Sequence, residues 1–196
     1  MDALEMLLGR HSVDSLVDPA PQGEQLMRIL QTAMAAPDHG KMRPWRYVLI
    51  EGDMRKEFAR LLEKALSSQT PPVPEAKIEK RVKKFMSTPL IIALGMRLKE
   101  NEKIPVIEQQ MAAAAAYMNV LNALYAEGFG AVWISGDMAY NKKIRKKLGF
   151  SSPDQLAGYL LVGTPEKPSR MEEKKRPDVK GFIAKWEGEA PEFVVD

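Results

Sequence analysis

Residues 9–15 read GRHSVDS, so a guanidinium, an imidazole and a hydroxyl follow one another close to the start of the chain. Arg10 offers a rigid fork of donors that matches phosphate oxygens. The Ser12 hydroxyl, with backbone amides at a helix edge, completes such a cradle, and His11 stands beside them. The same residue types also make an ordinary helix terminus, and the stretch alone leaves both readings open. A second polar stretch, APDHGKMRPW at residues 36–45, holds the other histidine, His39. No His-x-x-x-His pair or carboxylate cluster surrounds either histidine, and neighbours such as Asp38 and His39 on a loop rarely aim at one ion, so no metal site is expected. The absence of cysteine excludes thiolate nucleophiles, disulfides and Cys-ligated metal centres. No G-x-G-x-x-G follows an apolar run and no Walker sequence is present, so a phosphorylated cofactor would have to be gripped by side chains.

Helical and extended patterns alternate around these stretches. Met1–Leu8 is a short amphipathic segment. QGEQLMRILQTAMAAP sets Leu26, Ile29, Leu30, Ala33 and Met34 on one helical face and stops at Pro37. WRYVLIEG reads as a buried strand, DMRKEFARLLEKAL as a helix capped by Asp53, and PLIIALGM as a second strand. From Ile104 to Glu127 the chain is apolar nearly all round, with five successive alanines. That predicts a buried helix about 36 Å long, ended by Gly128 and Gly130. AVWISG and QLAGYLLVGTP read as further strands, and NKKIRKKLGF as a basic helix. About four short strands among helices give a layered α+β fold. The tail beyond Glu166 has Pro168, Pro177 and Pro191 and is expected to lie over a surface or a neighbouring subunit.

With 45% hydrophobic and 28% charged residues over 196 positions, the chain reads as one globular domain rather than a disordered segment. No apolar run approaches the roughly 20 residues of a spanning helix, and the acidic Met1–Leu8 is no signal peptide, so a cytoplasmic protein is expected. The runs KIEKRVKK and NKKIRKK could contact nucleic acid. Their helices, however, carry apolar residues on the other face and lack the interleaved aromatics that stack bases, so they read as solvated faces.

Taken in order, the pieces resemble a known family. A helix ending in Arg-His-Ser, a helix ending in Ala-Pro and a short loop into Pro-Trp and an apolar strand are similar to the nitroreductase family of FMN-dependent oxidoreductases. The long Ala-rich helix, EGFGAVWISG and GYLLVGTPEKP continue in the same order, and the PDH loop is most similar to the compact, minimal members. The resemblance covers nearly the whole chain. It implies a single FMN-binding domain over residues 1–196, with a central, mostly antiparallel sheet flanked by helices and a long buried central helix. It also implies an enzyme that takes hydride from NAD(P)H and reduces nitroaromatic, quinone or related electron-poor compounds in a ping-pong cycle. Flavin carries that redox step, so no side chain is named as a catalytic acid.

Carried over residue by residue, Arg10 and Ser12 match positions that hold the FMN phosphate and ribityl region, with His11 alongside. Trp133, Ile134 and Ser135 match the segment lining the flavin ring, where backbone amides meet its reactive edge. Arg176, or its lysine neighbours, closes over the phosphate. The resemblance places the flavin at the interface of a homodimer, with Ala35, His39 and Met42 reaching it from the other subunit. Asp14 departs from the pattern, standing where many members carry a Lys that meets the flavin's pyrimidine carbonyl; Arg10 or Lys41 would then offset charge there. Lys41 and Arg43 also replace the usual Asn and Gln. A flavin-free scaffold that keeps the fold is the alternative, and neither reading involves nucleic acid or membrane.

Overall fold

The computed structural model describes residues 2–167 and 176–191. In chain order it forms α1 (Ala3–Gly9), β1 (Leu16–Val17), α2 (Gly23–Gln31), β2 (Trp45–Glu51), α3 (Met54–Ser67), α4 (Glu75–Ser87) and β3 (Leu90–Met96). Then follow α5 (Val106–Ala126), β4 (Gly130–Ile134), α6 (Asp137–Tyr140), α7 (Lys142–Lys147) and β5 (Gln155–Pro165). Short 3-10 turns occupy Thr32–Ala35, His39–Lys41 and Val179–Phe182.

Every residue of β3 is buried, and the sheet is built outward from it. β2 and β5 flank β3, β4 lies beyond β5, and β1 pairs with the far end of β5; every pairing is antiparallel. Successive strand side chains point to opposite faces, so one sheet makes two cores. Leu90, Ile92, Leu94, Leu160 and Val162 face Leu26 and Ile29 of α2 and Ala113, Ala116, Tyr117, Val120 and Leu124 of α5. Ile91, Ala93, Tyr159 and Leu161 face Phe58, Leu62 and Leu66 of α3, Ile78 and Phe85 of α4, and Ile144 of α7. The layered α+β architecture and the antiparallel sheet are as expected, with α5 as the long central helix.

Local details differ for physical reasons. β2 is an edge strand with a mixed burial pattern rather than a buried one, because an apolar run does not reveal its place in a sheet. β1, two residues long beside prolines, adds a fifth strand. The helix before Pro37 tightens to 3-10 geometry at Thr32, which leaves Met34 exposed while Leu26, Ile29 and Ala33 stay buried. α5 starts at Val106 with Pro105 before it, and Gly130 belongs to β4 rather than to the helix stop. Asp53 makes no side-chain cap; its carboxylate pairs with Lys56 at 3.0 Å. No helix among the described residues is long and apolar enough to cross a membrane.

Candidate functional site

α1 is closed at its start by Glu5, whose carboxylate accepts from the Asp2 N–H at 3.1 Å, and it ends by delivering Arg10 in extended geometry. Arg10, His11, Val13 and Lys167 line a pocket of about 430 Å³ with Tyr125, Phe129 and Pro165. Arg176, in the C-terminal segment, donates from its Nη2 to the Arg10 carbonyl at 2.5 Å. The Arg10 guanidinium is held below its ordinary pKa by burial and then by the charge of Arg176. Two like charges share this corner, an arrangement that an anion relieves. The His11 ring sits edge-on to Tyr125 with centroids 6.0 Å apart, and its Nδ1 lies 2.9 Å from the Gly9 carbonyl.

Tyr125 of α5 and Lys167, beyond β5, line the pocket with Arg10, and no motif in the sequence singles them out. Lys174 lies outside the described residues. Asp14 has a partner that its own stretch does not reveal. Lys84 of α4 sets its Nζ 2.9 Å from the Asp14 carboxylate.

The Val13 N–H donates to the Ala131 carbonyl at 3.0 Å, which ties the GRHSV stretch to β4. In an extended strand the N–H and C=O of one residue point to the same edge, and alternate residues share that edge. Ala131 therefore fixes Trp133 as outward-facing, on an edge where no further strand pairs among the described residues. The carbonyl of Ile134 points the other way, toward Gly158 on β5. The Trp133 indole donates to the Ala157 carbonyl at 3.3 Å and packs edge-on against Tyr117. Ser135 follows the strand and is exposed. The Val13–Ala131 bond thus lays the stretch that follows Arg10–Ser12 alongside β4, the strand that ends in Trp133 and Ile134. Along α5, Tyr125 marks the guanidinium end and Tyr117 the Trp133 end, about 12 Å apart at the usual rise.

The 36–45 loop is organised by Asp38. Its carboxylate accepts from the N–H groups of Met42 at 3.1 Å and Arg43 at 2.8 Å. Lys41 and Arg43 both hold left-handed backbone, with φ of 54° and 47°, a strained state for side-chain-bearing residues that the Asp38 bonds help to maintain. Gly40 is left-handed too, and a Cβ there would lie 2.1 Å from Ile104 Cδ1. His39 sets its Nδ1 2.6 Å from the Glu108 carboxylate at the start of α5. Asp38→Ala is expected to destabilise the fold by about 1–2 kcal/mol, since two N–H groups lose their acceptor; urea unfolding reads the shift in midpoint.

His39 therefore stands at the opposite end of α5 from His11. Glu108 and Tyr125 are about 26 Å apart along the helix. No described contact joins Ala35, His39 or Met42 to Arg10–Ser12. Among the described residues no group of three His, Cys, Asp or Glu side chains could hold a metal ion.

Residues 7–164 match the model of the nitroreductase family. The chain is 40% identical over 167 residues to the Escherichia coli protein named "Putative NAD(P)H nitroreductase YdjA", covering 85% of this chain and 90% of that one. A crystal structure of a nitroreductase-like family protein from Bacillus cereus superposes with a TM-score of 0.81 at 26% identity, covering 96% of this chain and 97% of that one. A protein from Desulfovibrio desulfuricans described as "a putative nitroreductase in complex with fmn" shares the fold at a TM-score of 0.71 and 18% identity, over 95% and 98% of the two chains.

Proposed function

The chain belongs to the nitroreductase family, and from that premise we propose that it is an FMN-dependent oxidoreductase. In this reading it takes hydride from NAD(P)H and passes the reducing equivalents to nitroaromatic, quinone or related electron-poor small molecules in a ping-pong cycle. The observation that carries the reading is the Arg10–Arg176 corner. Two guanidinium groups are held together against repulsion, at one end of a pocket that leads to the open edge of β4. The residues present fit FMN. Arg10 and Arg176 hold the phosphate, while His11 and Ser12 face the ribityl chain. Trp133, Ile134 and Ser135 line the ring, and the outward N–H of Trp133 offers it a hydrogen-bond donor. FMN, when bound, supplies the two-electron chemistry. The basic corner and backbone donors supply positive potential.

Ala35, His39 and Met42 complete the site from a second copy of the chain. One face of α5 supports this, because Ile107, Met111, Ala114, Met118 and Asn122 form a single stripe that its own chain leaves wholly or partly uncovered. Asn122 Oδ1 in that stripe is buried without a hydrogen-bond partner. In the C-terminal segment Val179, Phe182, Ile183 and Trp186 are all more than half exposed, an apolar row suited to a neighbouring chain.

Purified protein is expected to show flavin absorbance that NADH or NADPH bleaches without oxygen, and a dimer's mass by light scattering. Met111→Glu sets a carboxylate in the α5 stripe and is expected to give a monomer that retains no flavin. A colourless protein that takes up no added FMN overturns the reading. A flavin-loaded monomer overturns only the shared site.

A further inference from the structure

On the other face of the sheet, α3 and α7 enclose a cleft of about 690 Å³ that the flavin reading does not use. Leu61, Lys64 and Ala65 of α3 and Ser68 at its C-terminal cap line it, spaced as one helical stripe. Lys143, Lys146 and Lys147 line it from α7, again on one stripe. Four ammonium groups thus surround a floor made by Leu61 and Ala65, and no carboxylate lines the cleft. Lys143 Nζ donates to Ser68 Oγ at 3.2 Å, and none of the four lysines has an ion-pair partner among the described residues.

A solvated face is the plain explanation for surface lysines, and two contrasts argue against it. The other basic run, on α4, is neutralised where it meets the fold: Lys84 pairs with Asp14 at 2.9 Å and Arg81 with Asp137 at 3.2 Å. The α7 run has no such partner among the described residues. Helix electrostatics do not explain it either. Cations are favoured in a last turn, which accounts for Lys146 and Lys147, but Lys143 sits in the first turn, where the helix end is itself positive. Like charges at Lys143 and Lys147, four residues apart, repel.

We propose that this cleft binds a small amphipathic anion, a phosphate-headed molecule with an apolar body. Lys64, Lys143, Lys146 and Lys147 meet the head. Leu61, Ala65 and the lysine stems receive the body. The volume lies in the usual range of small-molecule pockets, about 300–1,000 Å³. Nucleic acid fits less well, since no aromatic side chain lines the cleft to stack a base.

The test uses FMN-saturated protein, so that the Arg10 corner is filled, and octyl phosphate as probe in isothermal titration. Octanol and inorganic phosphate serve as body and head alone. Octyl phosphate is expected to bind at one site per chain, tighter than either part. The pair Lys143→Gln/Lys147→Gln is expected to weaken it by about tenfold. The control pair Lys77→Gln/Lys80→Gln removes the same charge from exposed positions of α4 and is expected to change it less than about twofold. Thermal melts establish that both variants are folded. Equal losses in the two variants overturn the site in favour of diffuse net charge. No saturable binding, or inorganic phosphate binding as tightly as octyl phosphate, also overturns it. So does an oligonucleotide that binds the cleft, lost only in the Lys143/Lys147 variant, while octyl phosphate does not bind.

Discussion

Replacing Arg10 by Ala is expected to weaken FMN binding by about ten- to a hundredfold, because a hydrogen bond to a charged group contributes roughly 1.5–3 kcal/mol. The flavin-free protein should melt no lower than the unsubstituted one. Arg10 stands against the charge of Arg176 and part of its own burial, and both hold its pKa down. Without a ligand its removal relieves repulsion. The bond from Arg176 survives the change, since it goes to the Arg10 backbone carbonyl. Affinity and stability are therefore expected to part company at this residue. Arg10→Lys keeps the charge and loses the planar fork, and should fall between the two. Titration of the flavin-free protein, followed by quenching of FMN fluorescence, reads all three. An unchanged dissociation constant in Arg10→Ala would remove the guanidinium corner from the cofactor site.

Gly158→Ala is expected to have the largest effect on stability. Gly158 holds φ of +142°, and a Cβ there would lie 2.2 Å from the Ile134 carbonyl oxygen and 2.8 Å from the Trp133 indole nitrogen. The carbonyl is backbone in a paired strand and cannot swing aside. Strain and overpacking together come to about 2–5 kcal/mol, a fall in melting temperature of roughly 10 °C for a chain of this length. Some of that cost is functional. The atoms that would have to move belong to Trp133 and Ile134, the segment proposed to line the flavin ring, so variant protein that still folds at low temperature should also bind FMN more weakly. A variant with the parent's melting temperature would mean that β4 and β5 are not held this closely.

Gly158 also illustrates what the sequence could and could not carry. QLAGYLLVGTP reads readily as a strand, but nothing in it says which neighbour presses on its first glycine. The same limit applies to β2, whose apolar run suits a central strand as well as an edge. Helices did better. The all-round apolar pattern found α5 to within two residues at its start, because burial on several sides leaves a compositional mark. Site residues divide in the same way. Arg10, His11 and Ser12 are adjacent and visible as a group. Glu108 meets His39 across 69 positions and Lys84 meets Asp14 across 70, pairs made only by the packing of α5 and α4. Asp38 was visible as a residue but not as the acceptor that holds the backbone of Met42 and Arg43.

Under the proposed shared site, the placement of His11 and His39 at opposite ends of α5 has a consequence at the level of genes. In a two-copy site each cavity draws its guanidinium corner from one chain and its His39 loop from the other. A lesion at Arg10 and a lesion at His39, each on its own gene, spoil both cavities of the corresponding pure assemblies. Co-expressed, the two faulty alleles yield mixed assemblies in which one cavity collects both lesions and the other is intact. Two recessive defects in a single gene would then complement, as lesions in separate genes do.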